Sequence, residues 1–217
     1  MRTIILLFAI FFLFIFQTSN LQAQGLKDFE TRTSVFVQYK PIKSLTFSGR
    51  YYLYLNDNSA HYKKSAFGAK VKYKPVYWFR PSFQYLYQAT RLDPYHDLRY
   101  GIDFKWKLSK KFQITYQPVF QQMVDRNQVS DFVWRNRIKF NYKVNKKFDL
   151  FVYTKAYLDL GNSLHYYKQK SAIGASYEIT KRSEIDLRFV IKNKEGKNDK
   201  PWNHKARVSL NYTYTIK

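Results

Sequence analysis

Apolar and polar residues alternate one by one along most of the chain after residue 30. In the stretch 206–216, for example, every even-numbered position is apolar or aromatic and every odd-numbered position is polar. Successive side chains of a β-strand point to opposite faces, so each such segment has one apolar and one polar face. No segment shows a sustained helical period, and the sequence therefore predicts an all-β fold.

Five short corners, each preceded by an aromatic residue, recur every 33 to 36 residues. In FNYKVNKKFDL, at 140–150, the corner separates Tyr142 from Phe148. The other connections are longer and more polar, as in DRNQVSD at 125–131. One repeat is thus a strand, a long loop, a second strand and a tight turn. This pattern predicts eleven strands, at 31–40, 44–56, 63–74, 78–91, 97–108, 112–124, 132–143, 148–160, 167–179, 184–193 and 204–217.

The N-terminus is typical of an exported protein. Arg2 precedes an unbroken apolar run at 4–16, which is too short to span a bilayer as a helix, and a small residue follows at Ala23. We predict a signal peptide at 1–23, cleaved after Ala23, and one β-barrel domain at 24–217. The chain has no cysteine, which excludes disulfides and a lipoprotein anchor. A net charge of +23 and 20% aromatic residues suggest nucleic acid, but an exported chain has little access to it.

A soluble barrel hides its apolar face, whereas a membrane barrel shows that face to lipid. The apolar face here carries about five large residues per strand, more than the lumen of one barrel holds. The predicted strands exceed the usual length and match a tilted crossing of the hydrocarbon layer. The corner aromatics all share the apolar phase, which predicts an aromatic girdle at one membrane interface. The predicted girdle consists of Tyr39, Tyr73, Trp106, Phe112, Tyr142, Phe148 and Tyr177.

These features predict a single antiparallel transmembrane β-barrel of about 10–12 strands in the outer membrane of a Gram-negative bacterium. Its partners would be outer-membrane lipid and lipopolysaccharide, together with the barrel-assembly machinery during biogenesis. Short turns would face the periplasm and long loops the outside. An odd count of eleven conflicts with the even number usual in such barrels. Either residues 24–30 return through the lumen, or they form part of a twelfth strand, or one strand has been split or missed.

Three stretches resemble a family of small outer-membrane β-barrels of unknown function from Gram-negative bacteria. They are YKVNKKFDLFVYTKAYL, FVWRNRIKFNYKV and YYKQKSAIGASYEITKRSEIDLRFVI. The resemblance covers roughly the whole mature chain. It implies an outer-membrane barrel and supplies no catalytic residues, cofactor or metal ligands.

Basic residues recur on the polar phase, which would face the lumen. They are Arg50, Lys70, Arg99, Lys105, Arg137, Lys139, Arg188 and Arg207, with Lys155 and Lys170 on the same phase. Acidic residues balance them only in part, at Asp103, Asp149, Asp159, Glu178 and Asp186. Charges in a lumen need partners or water. Two interpretations remain open, a salt-bridge network that stiffens the barrel and a basic lumen that binds or passes small anions.

All four histidines, His61, His96, His165 and His204, lie near the long-loop end. A rim site, either a metal centre or a lipid-modifying acyl hydrolase, would need converging ligands or a serine positioned by histidine and carboxylate. No motif supplies these, and the other interpretation is contact with lipid headgroups. The sequence shows no phosphate loop, zinc-binding spacing or nucleophile elbow. The first functional hypothesis is therefore a non-enzymatic channel or binding barrel, and the alternatives are a lipid-modifying enzyme, a closed structural barrel and a soluble β protein.

Overall fold

The computed structural model describes residues 29–56, 59–90, 94–125, 130–161, 164–195 and 202–216. The predicted signal peptide, its cleavage site after Ala23 and residues 24–28 lie outside these ranges. Within them, every helix or strand assigned is a β-strand. No helix in this part of the chain is long and apolar enough to cross a membrane. The all-β prediction is confirmed.

Eleven strands of 12 to 16 residues follow one another along the chain. Their bounds differ from the predicted ones by at most two residues. The strands are β1 (Phe29–Ile42), β2 (Leu45–Asn56), β3 (His61–Tyr73), β4 (Phe79–Thr90), β5 (Tyr95–Lys107), β6 (Phe112–Val124), β7 (Ser130–Lys143), β8 (Phe148–Asp159), β9 (His165–Thr180), β10 (Ser183–Lys194) and β11 (Asn203–Ile216).

The strands form one closed barrel in which each strand pairs with its neighbours in sequence. These ten pairings are antiparallel, whereas the barrel closes through a parallel pairing of β1 with β11. An odd number of alternating strands leaves the first and last running in the same direction, so the closing pair must be parallel. This seam is the one departure from the fully antiparallel barrel predicted. Phe29 and Glu30 belong to β1 and pair with Ala206 and Arg207, so this part of the segment 24–30 lies in the wall.

Side chains cap three of the tight turns. The Asn145 carboxamide oxygen accepts hydrogen bonds from the backbone N–H groups of Lys147 and Phe148, at 2.8 and 2.9 Å. The hydroxyl oxygens of Ser109 and Thr180 accept equivalent bonds two and three residues ahead. Such local bonds favour a turn over a continued strand, which explains why the corners of the repeat carry these residue types.

The outer wall is apolar and the inner wall is polar, as the alternation requires. Large hydrophobic side chains remain exposed on the outside, including Phe67, Ile173 and Leu187, which are each 52 or 53% exposed. Polar and charged side chains are buried inside, including Glu30, Asp97, Asp103 and Asn211. An outer surface of this kind is the reverse of a soluble barrel and is that of a barrel in lipid.

One part of the wall has an incomplete ladder. Pro118 in β6 lacks a backbone N–H, and the β5–β6 register skips the residues between Gly101↔Val119 and Phe104↔Tyr116. A shallow apolar groove of about 550 Å³ lies over this region, between Tyr73 at one end and Trp134 at the other. The proline therefore interrupts pairing without breaking the closed barrel.

We expect Leu210→Arg, on the outer face of β11, to impair folding into lipid. Leu210 is 44% exposed, and an arginine facing the bilayer midplane costs roughly 2–4 kcal/mol. Thr213→Arg on the same strand is the matched control, because Thr213 lines the interior cavity. The measurement is the free energy of unfolding in vesicles, with the heat-dependent gel shift reporting the folded fraction. Equal damage in both variants would contradict this assignment of the two faces.

Candidate functional site in the barrel lumen

The lumen contains a cavity of about 1070 Å³ lined by all eleven strands. Cations make up much of this lining. Six of the eight basic residues predicted to face the lumen line it, namely Arg50, Lys70, Arg99, Arg137, Arg188 and Arg207. The other two, Lys105 and Lys139, share the inward phase nearer the tight turns. The Lys139 ammonium lies 4.0 Å from the centre of the Phe151 ring.

Several further cations line the cavity that were not predicted as site residues. They are Arg32, Lys63, Lys64, Lys72, Arg135, Lys168, Lys192, Lys194 and Lys205, besides Lys155 and Lys170 noted above. Most follow the inward parity of their strands, so a complete parity count would have found them. Lys63 is different, because a register shift at Tyr54/Leu55 turns it inward. The alternating pattern alone does not reveal such a bulge.

Four buried carboxylates hold five of the cations. Glu30 binds Lys63 at 2.6 Å and also pairs with Lys192. Asp103 binds Lys72 at 2.8 Å and accepts a bond from Gln117. The remaining two pairs are Asp97 with Arg99 and Asp186 with Arg188. The pairs made by Glu30 and Asp103 join strands that are not neighbours in the sheet, whereas the other two pairs each lie within one strand.

Several of the other lumen cations bind neutral groups. Arg32 donates to the Asn211 carboxamide oxygen at 2.9 Å, and Arg135 donates to that of Gln121 at 2.7 Å. Lys64 donates to Gln88 at 2.8 Å. Buried guanidinium Nε atoms without a hydrogen-bond partner in the described residues belong to Arg32, Arg50, Arg135, Arg137 and Arg207. A buried donor without an acceptor is costly, so these groups are available to an anion or to water.

Tyrosine rings sit among the cations. Tyr157 has Lys168, Lys170 and Arg135 at 4.7, 5.1 and 5.3 Å from its ring centre, and Lys155 at 5.9 Å. The negative face of an aromatic ring attracts such cations without neutralising them. These contacts hold the side chains in place without bringing a counter-charge into the lumen.

Aromatic and aliphatic side chains narrow the lumen at two places. Phe151, Tyr153, Ala172 and Val190 form one buried cluster. Tyr52, Ala66 and Leu86 form the other, with Phe36 and Tyr54 packed against it. These side chains belong to opposite parts of the wall, and they restrict the width available to a solute.

The predicted girdle residues all lie on the outer face near the tight turns. Tyr39, Tyr73, Trp106 and Tyr177 are 47 to 49% exposed. Phe112 pairs with Tyr142, and their ring centres are 4.7 Å apart, whereas Phe148 pairs with Tyr177. An aromatic band at one end of the strands has the form expected at a membrane interface.

The four histidines lie at the long-loop ends of β3, β5, β9 and β11, and no two of these strands pair with each other. His96 bonds to the Tyr85 hydroxyl at 2.7 Å, and His204 bonds to the Asn193 carboxamide oxygen at 3.0 Å. His165 pairs with Glu195. In the described ranges no three His, Cys, Asp or Glu residues group as metal ligands. The hypothesis of a shared histidine site at the rim gains no support.

No protein-family model and no curated protein matches the chain. Among solved structures, the chain is similar to the NanC porin, with a TM-score of 0.48 and 11% sequence identity. The match covers 86% of this chain and 99% of that one. The resemblance to a family of small outer-membrane barrels therefore stays a prediction, and function has to be argued from the lumen residues.

We expect Gly174→Ala to destabilise the barrel. A Cβ on Gly174 would lie 2.5 Å from the Leu187 carbonyl oxygen and 2.5 Å from the Phe151 ring, so the wall must shift. Overpacking of this kind costs about 1–3 kcal/mol. Gly49→Ala is the matched control, because nothing lies within 4 Å of its added Cβ. Chemical denaturation in detergent measures both, and an unchanged Gly174 variant would mean that Phe151 does not fill this position.

Proposed function

We propose that the protein is an outer-membrane barrel without enzymatic activity, whose basic lumen binds small anionic solutes and passes them as a narrow channel. The observation that carries the proposal is the surplus of cations around one cavity. Four buried carboxylates pair with five cations, whereas Arg32, Arg50, Arg135, Arg137 and Arg207 line the same space without an ion pair among the described residues.

The apolar outer wall and the aromatic girdle support the outer-membrane location. Lipid would contact the wall, and lipopolysaccharide would contact the long-loop end. The barrel-assembly machinery would insert the chain. The closed barrel suits a bilayer, because strands can satisfy their backbone groups there only when the sheet has no open edge. The tight turns would then face the periplasm.

Electrostatics supports a preference for anions. Rings of arginine and lysine select anions in narrow pores, and low-dielectric walls strengthen the field inside. The surplus cations lie on many strands, so they surround the axis. The partner proposed for the lumen is a small anionic ligand, and no cofactor or metal enters the proposal.

The alternative is that the cations only stiffen the barrel. In that case the positive charge would be balanced within the wall. The ion pairs of Glu30, Asp97, Asp103 and Asp186 fit this view, but they account for only part of the lumen charge. The Nε atoms that have no partner among the described residues would need water in a purely structural network, whereas a bound anion would supply acceptors to them.

The test is the reversal potential of the refolded barrel in a salt gradient across a planar bilayer. We expect the wild type to prefer anions, and we expect Arg137→Glu with Lys139→Glu to shift the preference toward cations. The inward position of these residues is the reason, since Arg137 lines the cavity, and Lys139 lies opposite Tyr153 with its ammonium over the Phe151 ring. High salt should weaken the wild-type preference by screening.

Lys146→Glu with Lys147→Glu is the control, because these residues are exposed at the β7–β8 turn and change the net charge equally. That variant should keep most of the anion preference. A cation-selective wild type would overturn the proposal. A folded barrel without conductance would rule out the channel and leave a closed binding site or a structural network.

A further inference from the structure

One row of cations crosses five consecutive strands of the inner wall. Arg137 of β7 is the direct cross-strand partner of Lys155 in β8, which is the partner of Lys170 in β9. Lys170 is the partner of Lys192 in β10, and Lys192 is the partner of Lys205 in β11. All five residues line the interior cavity. We call Arg137, Lys155, Lys170, Lys192 and Lys205 the basic row.

Such a row is unfavourable for the barrel alone. Like charges directly opposite each other in a sheet destabilise it, and here the arrangement repeats at four successive pairings. Among the described residues, Lys192 has a carboxylate partner in Glu30, but Arg137, Lys155 and Lys170 form no ion pair with one. The Tyr157 ring that contacts Lys155 and Lys170 brings no negative charge to balance them.

Elsewhere in the wall the cations are not aligned in this way. β3 contributes Lys63, Lys64, Lys70 and Lys72 to the lining and β5 contributes Arg99, but the two strands beside β5 contribute no charge. The cavity lining contributed by β4 consists of Ser82, Gln84, Leu86 and Gln88, without any charge. The lining contributed by β6 consists of Gln117, Val119, Gln121 and Met123, again without any charge. A single small anion needs only two or three converging donors. A continuous row on one wall instead matches a ligand that carries its charges in a line.

The distance between neighbouring residues of the basic row should match the distance between neighbouring charges of the ligand. Neighbouring strands lie about 4.8 Å apart, so the five residues span on the order of 20 Å along the wall. The row crosses the strands, which are tilted relative to the barrel axis, and it therefore runs obliquely along the lumen. A flexible chain with repeated anionic groups can contact several members of the row at once, and each added contact raises its effective affinity.

We propose that the basic row is a binding track for a linear polyanion, a chain with repeated carboxylate or phosphate groups. This inference rests on the proposed anion-binding lumen and narrows its ligand from single small anions to multiply charged chains. The track would guide such a chain from the long-loop end toward the narrow middle of the barrel, where Arg137 lies.

The test is calorimetric titration of the refolded barrel in zwitterionic detergent with oligoglutamates, from the monomer to the pentamer. We expect the affinity to rise with each added residue, because each carboxylate meets another cation of the row. Lys155→Gln with Lys170→Gln should weaken binding of the pentamer by about tenfold or more, and that of the monomer much less. The heat-dependent gel shift shows whether each variant is folded.

Lys64→Gln with Lys70→Gln is the matched control. Both residues line the same cavity, so the variant removes the same charge from it, but both lie off the basic row, on β3. The pentamer should bind this variant much more tightly than it binds the row variant. Equal losses in the two variants would overturn the inference, because net lumen charge and not the row would then set affinity.

The outcomes separate this inference from the proposed channel. A wild type that prefers anions in the reversal-potential measurement but binds all oligoglutamates equally would overturn the track and keep the channel. A barrel that binds the pentamer through the row but does not conduct would keep the track and overturn the channel. An inorganic polyphosphate series, measured in the same way, shows whether carboxylate or phosphate chains fit better.

Discussion

Closure of the sheet is the constraint on which the rest of the structure depends. A strand in lipid cannot leave backbone N–H and C=O groups unpaired, so both edges of the sheet must meet. With eleven strands they meet through the parallel pairing of β1 and β11, from Phe29↔Ala206 to Tyr39↔Ile216. Closure then gives every residue one of two environments. The apolar phase faces out, and all polar side chains on the other phase are confined around one cavity.

Because the inward side chains share one cavity, the lumen contains many polar and charged contacts. Charges that would be solvated on an ordinary surface are brought within reach of one another in the lumen. Three kinds of contact hold the lumen cations. They are ion pairs such as Asp103–Lys72, hydrogen bonds to neutral amides such as Arg135–Gln121, and cation–π contacts around Tyr157. Only the first kind removes net charge. The cations that form no ion pair among the described residues are the physical basis of the proposed anion binding.

The alternation of the sequence predicted the strands, their phase and the outward position of the corner aromatics, because period two is a local property that each segment carries by itself. The parallel seam could not be predicted in this way, since it joins residues from opposite ends of the chain. The inward position of Lys63 depends on a β-bulge, and an alternating pattern does not predict where a bulge occurs. The rim histidines show a third limit, because a shared end of the barrel does not bring strands β3, β5, β9 and β11 together.

The alignment of the basic row depends partly on local turns and partly on long-range register. The tight turns after β7 and β9 bring Arg137 opposite Lys155 and Lys170 opposite Lys192, so these pairings follow from local turn geometry. The pairings of Lys155 with Lys170 and of Lys192 with Lys205 depend on the register across the longer connections, which only the complete barrel fixes. A one-residue slip in either register would turn one strand's cations toward lipid, where they would cost far more than in the lumen. The apolar outer face that holds the barrel in lipid therefore also sets the register in which the basic residues line up inside it. The proposed preference for a linear ligand follows from this register.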